Sequence, residues 1–207
     1  MKELLSTSER VYRSVKTEIL EGAYLPGERL DAGEMAMNLS TSITPVRSAL
    51  HQLVGEGLVE ARSHEGFHIP RLTEPGLRDL CLWNEKLLVM ALRTARSNHP
   101  RSPPPIPEGQ SDESITTAIE QMFAAITDTT GNAEFRKAID SANARLHAVR
   151  KLTAVLIDDR KAEFERITQA WLNHDDDQVE ALLIAYHRRR QELVPDLVRL
   201  RHEPPVN

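Results

Sequence analysis

The chain of 207 residues has one cysteine, few aromatic side chains and no long apolar run. The single cysteine, Cys81, excludes an intramolecular disulfide framework and a metal cluster built from cysteines alone. The longest apolar run, Leu87 to Leu92, has six residues, whereas a membrane-spanning helix needs ~20. The first residues also lack the apolar stretch of a signal peptide. These absences predict a cytoplasmic protein that has no membrane partner.

A basic excess is also missing. The formal net charge is -5, and residues 1–72 carry eight Lys/Arg against ten Asp/Glu, a balance of 8 − 10 = −2. Proteins that bind nucleic acid usually carry a basic patch or an overall positive charge. Any binding to DNA by this chain must therefore depend on local charge, and long-range steering toward DNA should be weak.

The pattern of the chain changes near residue 72, which predicts a domain at 1–72 and a second at 73–207. In the first domain, Val11, Val15 and Ile19 repeat at four-residue spacing and predict an amphipathic helix. Asp31 can cap a short second helix, and Ser42 can cap a third that has Pro45 in its first turn. Two strands, 58–62 and 66–70, follow as a hairpin. Three helices and a two-stranded wing predict a winged helix-turn-helix.

The second domain shows helical patterns and no strand pattern, so the fold class is mainly α, with an all-α helical bundle after the winged helix. Between its first two helices, residues 98–111 are rich in proline, which predicts a surface loop because proline disrupts helices. The predicted helical segments are Leu77–Arg96, Ser114–Thr127, Ala133–Ile157, Lys161–Leu172 and Gln178–Val194.

The third helix carries a polar face opposite its apolar stripe. Thr44, Arg47, Ser48 and His51 are spaced so that all four can project from the protein together. Arg47 can donate two hydrogen bonds to guanine or hold a phosphate, and Thr44 and His51 can contact backbone or bases. Taken alone, this face is equally consistent with DNA contact and with an ordinary solvated helix surface.

The N-terminal sequence resembles the DNA-binding domain of GntR-family transcriptional regulators. The resemblance is carried by Leu25-Pro26-Gly27-Glu28-Arg29-Leu30, Thr44-Pro45-Val46-Arg47, Glu56-Gly57-Leu58-Val59 and the wing glycine Gly66. It implies that the third helix enters the major groove and that the wing tip reaches the minor groove. The DNA-binding residues expected on these grounds are Ser42, Thr44, Pro45, Arg47, Ser48, His51, Arg62, His64 and Gly66.

Two positions depart from this family. A basic residue commonly precedes the Thr-Pro pair, where this chain has Ile43, and the wing often has a basic residue where this chain has Glu65. One direct base contact is therefore missing. Either the operator differs from the common one, with Ile43 against a thymine methyl, or the affinity is low.

A fainter resemblance extends into the helical domain. Leu72-Thr73 and Arg78-Asp79-Leu80 resemble the entry to the effector domain of FadR-type (FCD) members, which often hold a divalent metal. The resemblance implies Asn143, His147 and His187 as ligands of a Zn or Ni ion, but the remaining position falls at Phe164, which cannot ligate a metal. The set is incomplete and the domain looks shortened.

The alternative for both histidines is a place on the helix surface or in a hydrogen-bonded core. A pocket between helices is the expectation that depends least on a metal. It would bind a small anionic effector, a carboxylate by analogy with the family. The effector-binding residues expected there are Asp140, Asn143, Arg145, His147 and His187.

These observations predict a homodimeric, ligand-responsive transcription regulator, in the repressor mode common in the family, that binds a palindrome in double-stranded DNA. We find no nucleophile–base pair or phosphate-binding loop, so we do not expect an enzyme. Two alternatives stay open. One is a protein-interaction module with a degenerate winged helix, and the other is a metal-dependent enzyme that uses the helical domain.

Overall fold

A computed structural model describes residues 6–95, 101 and 112–202, and the chain divides into two compact units, Met1–Leu72 and Thr73–Asn207. The N-terminal unit contains α1 (Thr7–Leu20), β1 (Arg29–Leu30), α2 (Ala32–Asn38), α3 (Ile43–Gly55), β2 (Glu60–Arg62) and β3 (Gly66–His68). The described part of the second unit is helical and contains α4 (Glu74–Thr94), α5 (Asp112–Asp128), α6 (Ala133–Leu152), a 3-10 turn (Thr153–Val155), α7 (Arg160–Leu172), α8 (Asp176–Glu192) and α9 (Val194–His202).

The helices of the N-terminal unit form where capping and apolar spacing predict them. Ser6 accepts a hydrogen bond from the Glu9 amide at the start of α1, and Asp31 accepts from two amides at the start of α2. α1 packs on α3 through side chains that are almost completely buried, and this packing forms the core of the unit. They include Val11, Val15, Val46, Leu50 and Leu53.

The sheet is antiparallel and has three strands, in the order β1-β3-β2. In its register Ala61 faces Phe67, and Leu30 faces Phe67 from the other side. The mainly α fold with a winged helix-turn-helix and a following helical domain is confirmed. The wing differs from the predicted hairpin because β1, only two residues long, pairs with its outer edge.

The second unit is built around α4, whose inner side packs against α5, α6, α8 and α9. Large side chains from five helices form its core, among them Leu88, Phe123, Ile139, Phe164 and Tyr186. The last predicted helical segment ends at Val194, so the sequence pattern did not predict α9, and it joined α6 to the turn that follows it. Apart from Arg101, the predicted proline-rich loop lies outside the described residues. Among the described helices, none is long and apolar enough to cross a membrane.

Candidate nucleic-acid interface and polar core

The first turn of α3 is open to solvent. Ser42 stands at the N-cap without making a side-chain capping bond, and the turn contains no acidic residue. Thr44, Arg47, Ser48 and His51 are all exposed on one side of the helix, and Pro45 is partly buried in the first turn. The opposite side holds the buried residues of the unit's core. The amides of Ile43 and Thr44 therefore receive no capping bond from Ser42, and the N-terminus of α3 suits an anion such as phosphate.

The N-terminus of α2 differs from that of α3. The Asp31 carboxylate accepts hydrogen bonds from the amides of Gly33 at 2.8 Å and Glu34 at 3.0 Å. These two bonds lower the pKa of Asp31, because they stabilise its charged form. The amides are already engaged by the chain itself, so α3, and not α2, offers free amides to a ligand.

The wing places the predicted contacts around a tight turn. His64 has a φ of 64° and Gly66 a φ of 88°, and both are exposed. The left-handed backbone at Gly66 explains the glycine, since other residues are strained there. Arg62 is half-buried and its Nη2 lies 3.1 Å from Glu60 Oε2, so part of its charge is compensated within the wing.

A groove of about 350 Å³ runs between α3, the start of α2 and the wing. Arg29 and Arg47 line it together with Ile43, His51 and Gly66. Arg29 belongs to β1, and a Cβ added at Gly66 would lie 3.9 Å from its Nε. Sequence reasoning missed Arg29 as a possible contact, because a two-residue strand has no pattern that shows which way its side chains point.

The second unit contains a buried polar network at the predicted effector site. His147 Nδ1 lies 3.1 Å from Glu120 Oε2, and Arg150 Nη1 donates to Glu120 Oε1 at 3.0 Å. Arg150 Nη2 donates to Asn84 Oδ1 at 3.2 Å, and the same oxygen lies 2.8 Å from His187 Nε2. The network thus joins α4, α5, α6 and α8.

His187 is completely enclosed in this network. Burial lowers its pKa to about 3, and the charges of Arg150 and Arg190 act in the same direction. Nδ1 lies 2.7 Å from the Leu183 carbonyl, so the neutral ring carries its proton there and Nε2 accepts. Asn84 must then turn its amide nitrogen toward His187, the reverse of the orientation that serves Arg150. Asn84 cannot satisfy both neighbours while His187 is neutral.

The structure brings together only some of the predicted effector residues. Asn143, His147 and His187 are buried, and Asn143 Nδ2 donates to the Glu120 carbonyl at 3.2 Å. Asp140 is exposed and pairs with Arg136, and Arg145 is also exposed. Asp140 and Arg145 therefore do not lie with Asn143 in the buried network, contrary to the predicted pocket. Sequence reasoning missed Asn84, Glu120 and Arg150.

The donor set does not fit a divalent metal. Phe164 is buried in the apolar core, and no group of three His, Cys, Asp or Glu suited to a metal occurs among residues 6–95, 101 and 112–202. Both nitrogens of His187 already have neighbours, and the guanidinium of Arg150 bonds to the residues that contact the two histidines. The positively charged guanidinium of Arg150 therefore lies between the neighbours of His147 and those of His187.

A small cavity of about 20 Å³ adjoins the network, with Cys81, Tyr186 and Arg190 in its wall. This is room for about one water molecule. Two residues in its wall have a buried donor without a hydrogen-bond partner within the described part of the chain: the Tyr186 hydroxyl and Arg190 Nε. Unpaired buried donors are costly and favour a neighbour that accepts hydrogen bonds.

The helix α3, the short helix α2 before it and the three-stranded wing together define a winged helix-turn-helix protein. Residues 7–69 match the family model described as bacterial regulatory proteins, gntR family. The match is confined to the N-terminal unit, which is therefore similar to the helix-turn-helix domain of that family.

Curated relatives are similar over this region. The uncharacterized HTH-type transcriptional regulator YdhC of Bacillus subtilis is 36% identical over 62 residues, which are 30% of this chain and 28% of YdhC. The HTH-type transcriptional repressor GlaR of Escherichia coli is 30% identical over 92 residues, 44% of this chain and 42% of GlaR. The matches thus span less than half of these relatives.

Solved structures are similar over a longer stretch. Escherichia coli McbR/YncC has a TM-score of 0.69 at 19% identity, covering 93% of this chain and 99% of that one. A putative transcriptional regulator GntR from Rhodococcus sp. RHA1 has a TM-score of 0.72 at 14% identity, with the same coverage. At such low identity this likeness establishes the fold, a winged helix followed by a helical domain.

Proposed function

We propose that this protein is a sequence-specific DNA-binding transcription regulator whose α3 enters the major groove and whose wing reaches the minor groove. The observation that carries the proposal is the exposed side of α3, which presents Arg47 one turn after a helix N-terminus that has no side-chain cap. The names of the relatives, all HTH-type regulators or repressors, support the same function.

The exposed residues suggest a division of roles. Arg47 donates to guanine or holds a phosphate, while Thr44, Ser48 and His51 contact bases or backbone. Ser42 and the amides of the first turn bind a phosphate, and Pro45 fixes the backbone of that turn. The wing residues Arg62, His64 and Gly66 follow the adjacent minor groove.

A homodimer on a palindromic operator would compensate for the weak charge of one domain. Two-fold symmetry places one α3 in each half-site and doubles the number of phosphate contacts. The electrostatic part of the affinity grows with the number of phosphates that the protein contacts. A dimer can therefore bind more tightly than a monomer, although residues 1–72 carry a formal net charge of −2.

We further propose that a small carboxylate, bound in the helical domain as in FadR-type regulators, controls the affinity for the operator and that the protein acts as a repressor. The unpaired donors of Tyr186 and Arg190 support an acceptor-rich ligand. Since the cavity has room for about one water molecule, the ligand must separate the surrounding helices to enter. Such a movement can carry the roughly 1–3 kcal/mol of coupling typical of allosteric regulators.

The DNA-binding proposal is tested by first selecting bound fragments from genomic DNA and then measuring affinity for the selected operator at two salt concentrations. Arg47→Ala should weaken binding and reduce the dependence on salt by about one phosphate contact. Arg10→Ala, which removes an equal charge from α1, is the control and should leave specific binding nearly unchanged. Equal affinity of the wild type and Arg47→Ala would refute the role of α3.

The effector proposal has its own test, in which a panel of mono- and dicarboxylates is titrated against the complex with operator. A compound that releases the wild type should act at higher concentration on Tyr186→Phe, which keeps the ring and removes the unpaired hydroxyl. Arg145→Ala serves as the comparison, because Arg145 is exposed. A stronger effect of Arg145→Ala would move the site to the surface of α6.

A further inference from the structure

The solvent side of α4 carries two large apolar residues within a regular series. Asp79, Trp83, Lys86, Met90 and Arg93 follow one another at spacings of four, three, four and three residues. This alternation places all five along one side of a helix, as in a two-helix contact. The side chains of Trp83 and Met90 are each 48% exposed, and Leu82 beside them is 45% exposed.

Trp83 and Met90 do not lie at the edge of the buried core. Leu87, Leu88 and Ala91, on the other side of α4, are almost completely buried. Trp83 and Met90 lie two helical turns apart on the outer side, about 10 Å along the axis. A tryptophan and a methionine exposed along the same side of a helix are typical of an interface, since both side chains are enriched at interfaces.

The charges of the series identify the partner. An acidic residue, Asp79, lies near the N-terminal end and a basic one, Arg93, near the C-terminal end, with Lys86 midway between them. If α4 meets a second α4 that runs in the opposite direction about Lys86, each Asp79 faces Arg93 of the partner subunit. In the same register each Trp83 lies level with Met90 of the partner subunit to within one residue, about 1.5 Å along the axis. The series is therefore complementary to itself, as a two-fold interface requires.

We propose that α4 pairs antiparallel with α4 of a second copy of this chain, with the two-fold axis beside Lys86. The two lysines do not meet as bare charges, because each Lys86 donates to its own Glu85 Oε1 at 2.6 Å. Arg93 Nε donates to Glu180 Oε2 at 2.8 Å. Its guanidinium has five N–H donors, so it can also reach a carboxylate of the partner.

This inference rests on the homodimer of the proposed function and adds its surface and register. The dissociation constant of the full-length dimer is the quantity to measure, by analytical ultracentrifugation. Trp83→Glu should raise it by about 30-fold or more, because it places a carboxylate at the centre of the contact. Val155→Glu is the matched control, because Val155 is 60% exposed in the turn after α6 and lies outside the series.

Two further variants keep the test independent of folding. Asp79→Arg should weaken the dimer, and adding Arg93→Asp together with Glu180→Gln should restore it, because both symmetric pairs are then reversed and Glu180 no longer repels the new aspartate. Under mild oxidation Lys86→Cys should form a disulfide with its own copy, because facing backbones of paired helices come close enough, whereas Val155→Cys should not.

The outcomes separate this inference from the function it rests on. A dimer that survives Trp83→Glu unchanged and gives no Lys86→Cys cross-link overturns the α4 interface, while the regulator can still dimerise elsewhere. A wild type that stays monomeric overturns the interface and the homodimer together. Binding to the selected operator, measured on the same samples, decides separately whether the protein reads DNA.

Discussion

The ring of His51, on α3, contacts the ring of Phe67, in strand β3 of the wing, edge to face with centroids 4.9 Å apart. Both residues also line the groove that holds Arg29 and Arg47. The contact joins the helix and the wing, the two elements proposed to meet different grooves of DNA. It therefore fixes the spacing between them before DNA arrives.

A double-mutant cycle should detect this contact. Edge-to-face aromatic pairs contribute about 0.5–1.5 kcal/mol beyond the burial of their surface. Each single variant, His51→Ala and Phe67→Ala, should lower the free energy of unfolding. The sum of these two losses should differ by a similar amount from the loss in the double variant, as measured by chemical denaturation. Phe67→Ala combined with Thr17→Ala, an exposed position on α1, should be additive. Additivity in both cycles would mean that helix and wing are not coupled through these rings.

The position before the Thr-Pro pair allows a gain-of-function prediction. Ile43 is 39% exposed at the start of α3 and lines the groove. Ile43→Arg should strengthen binding to DNA in general and steepen the slope of log affinity against log salt by about 0.9, the amount for one added phosphate contact. Thr17→Arg adds the same charge to α1 and should change the slope less. Weaker binding by Ile43→Arg would instead indicate that Ile43 packs against a base.

The sequence predicts local features of the site better than features that depend on packing between distant segments. The exposed face of α3 was predictable because Thr44, Arg47 and His51 lie on one helix at helical spacing. The position of Arg29 was not predictable, because its strand β1 has only two residues and joins the sheet by pairing with β3. Its position in the groove is a consequence of the sheet and not of its neighbours in sequence.

The buried polar network of the second unit was also only partly predictable from the sequence. Asn143 and His147 were found because they lie four residues apart on α6. Asn84, Glu120 and Arg150 come from three different helices and meet only after the bundle packs. Arg150 follows His147 by three residues on α6, so helical spacing could have placed it on the same side, but a pattern within one helix cannot show that it meets Glu120 on α5 and Asn84 on α4.

The buried His187 should make stability depend on pH. Its pKa is lowered to about 3, whereas a histidine in the unfolded chain has a pKa of about 6.5. Between these values the unfolded chain binds a proton that the folded chain does not, so the free energy of unfolding falls as pH falls, by up to about 1.4 kcal/mol per pH unit. The contribution is complete above about pH 6.5. His187→Gln should flatten this part of the curve, and His174→Gln, at an exposed turn, should not. An unchanged slope in His187→Gln would show that His187 is protonated in the folded state.

Breaking one side of the buried ion pair between α7 and α8 should destabilise the second unit. Arg190 donates from Nη2 to Glu163 Oε2 at 2.7 Å and from Nη1 to Glu163 Oε1 at 3.2 Å, and both side chains are less than a tenth exposed. Glu163→Ala should cost about 3–5 kcal/mol, because it leaves a buried charge without a partner. The double variant Glu163→Leu with Arg190→Met should cost less than either single loss. Glu134→Ala, which breaks an exposed pair with Lys137, is the control and should cost little. A small effect of Glu163→Ala would mean that water reaches Arg190.

Removing metal should leave this protein unchanged, and adding it back should show no stoichiometric site. Calorimetry of a chelator-treated sample with Zn²⁺ or Ni²⁺ should give no heat that depends on His147 and His187. The reason is chemical: Phe164 supplies no ligand, and Arg150 places a positive charge between the residues that contact the two histidines. A second cation there would be repelled, and both nitrogens of His187 would have to give up their present neighbours. One equivalent of binding that disappears in both His147→Gln and His187→Gln would contradict this expectation, because it would require Arg150 to swing out and the two histidines to converge on the metal.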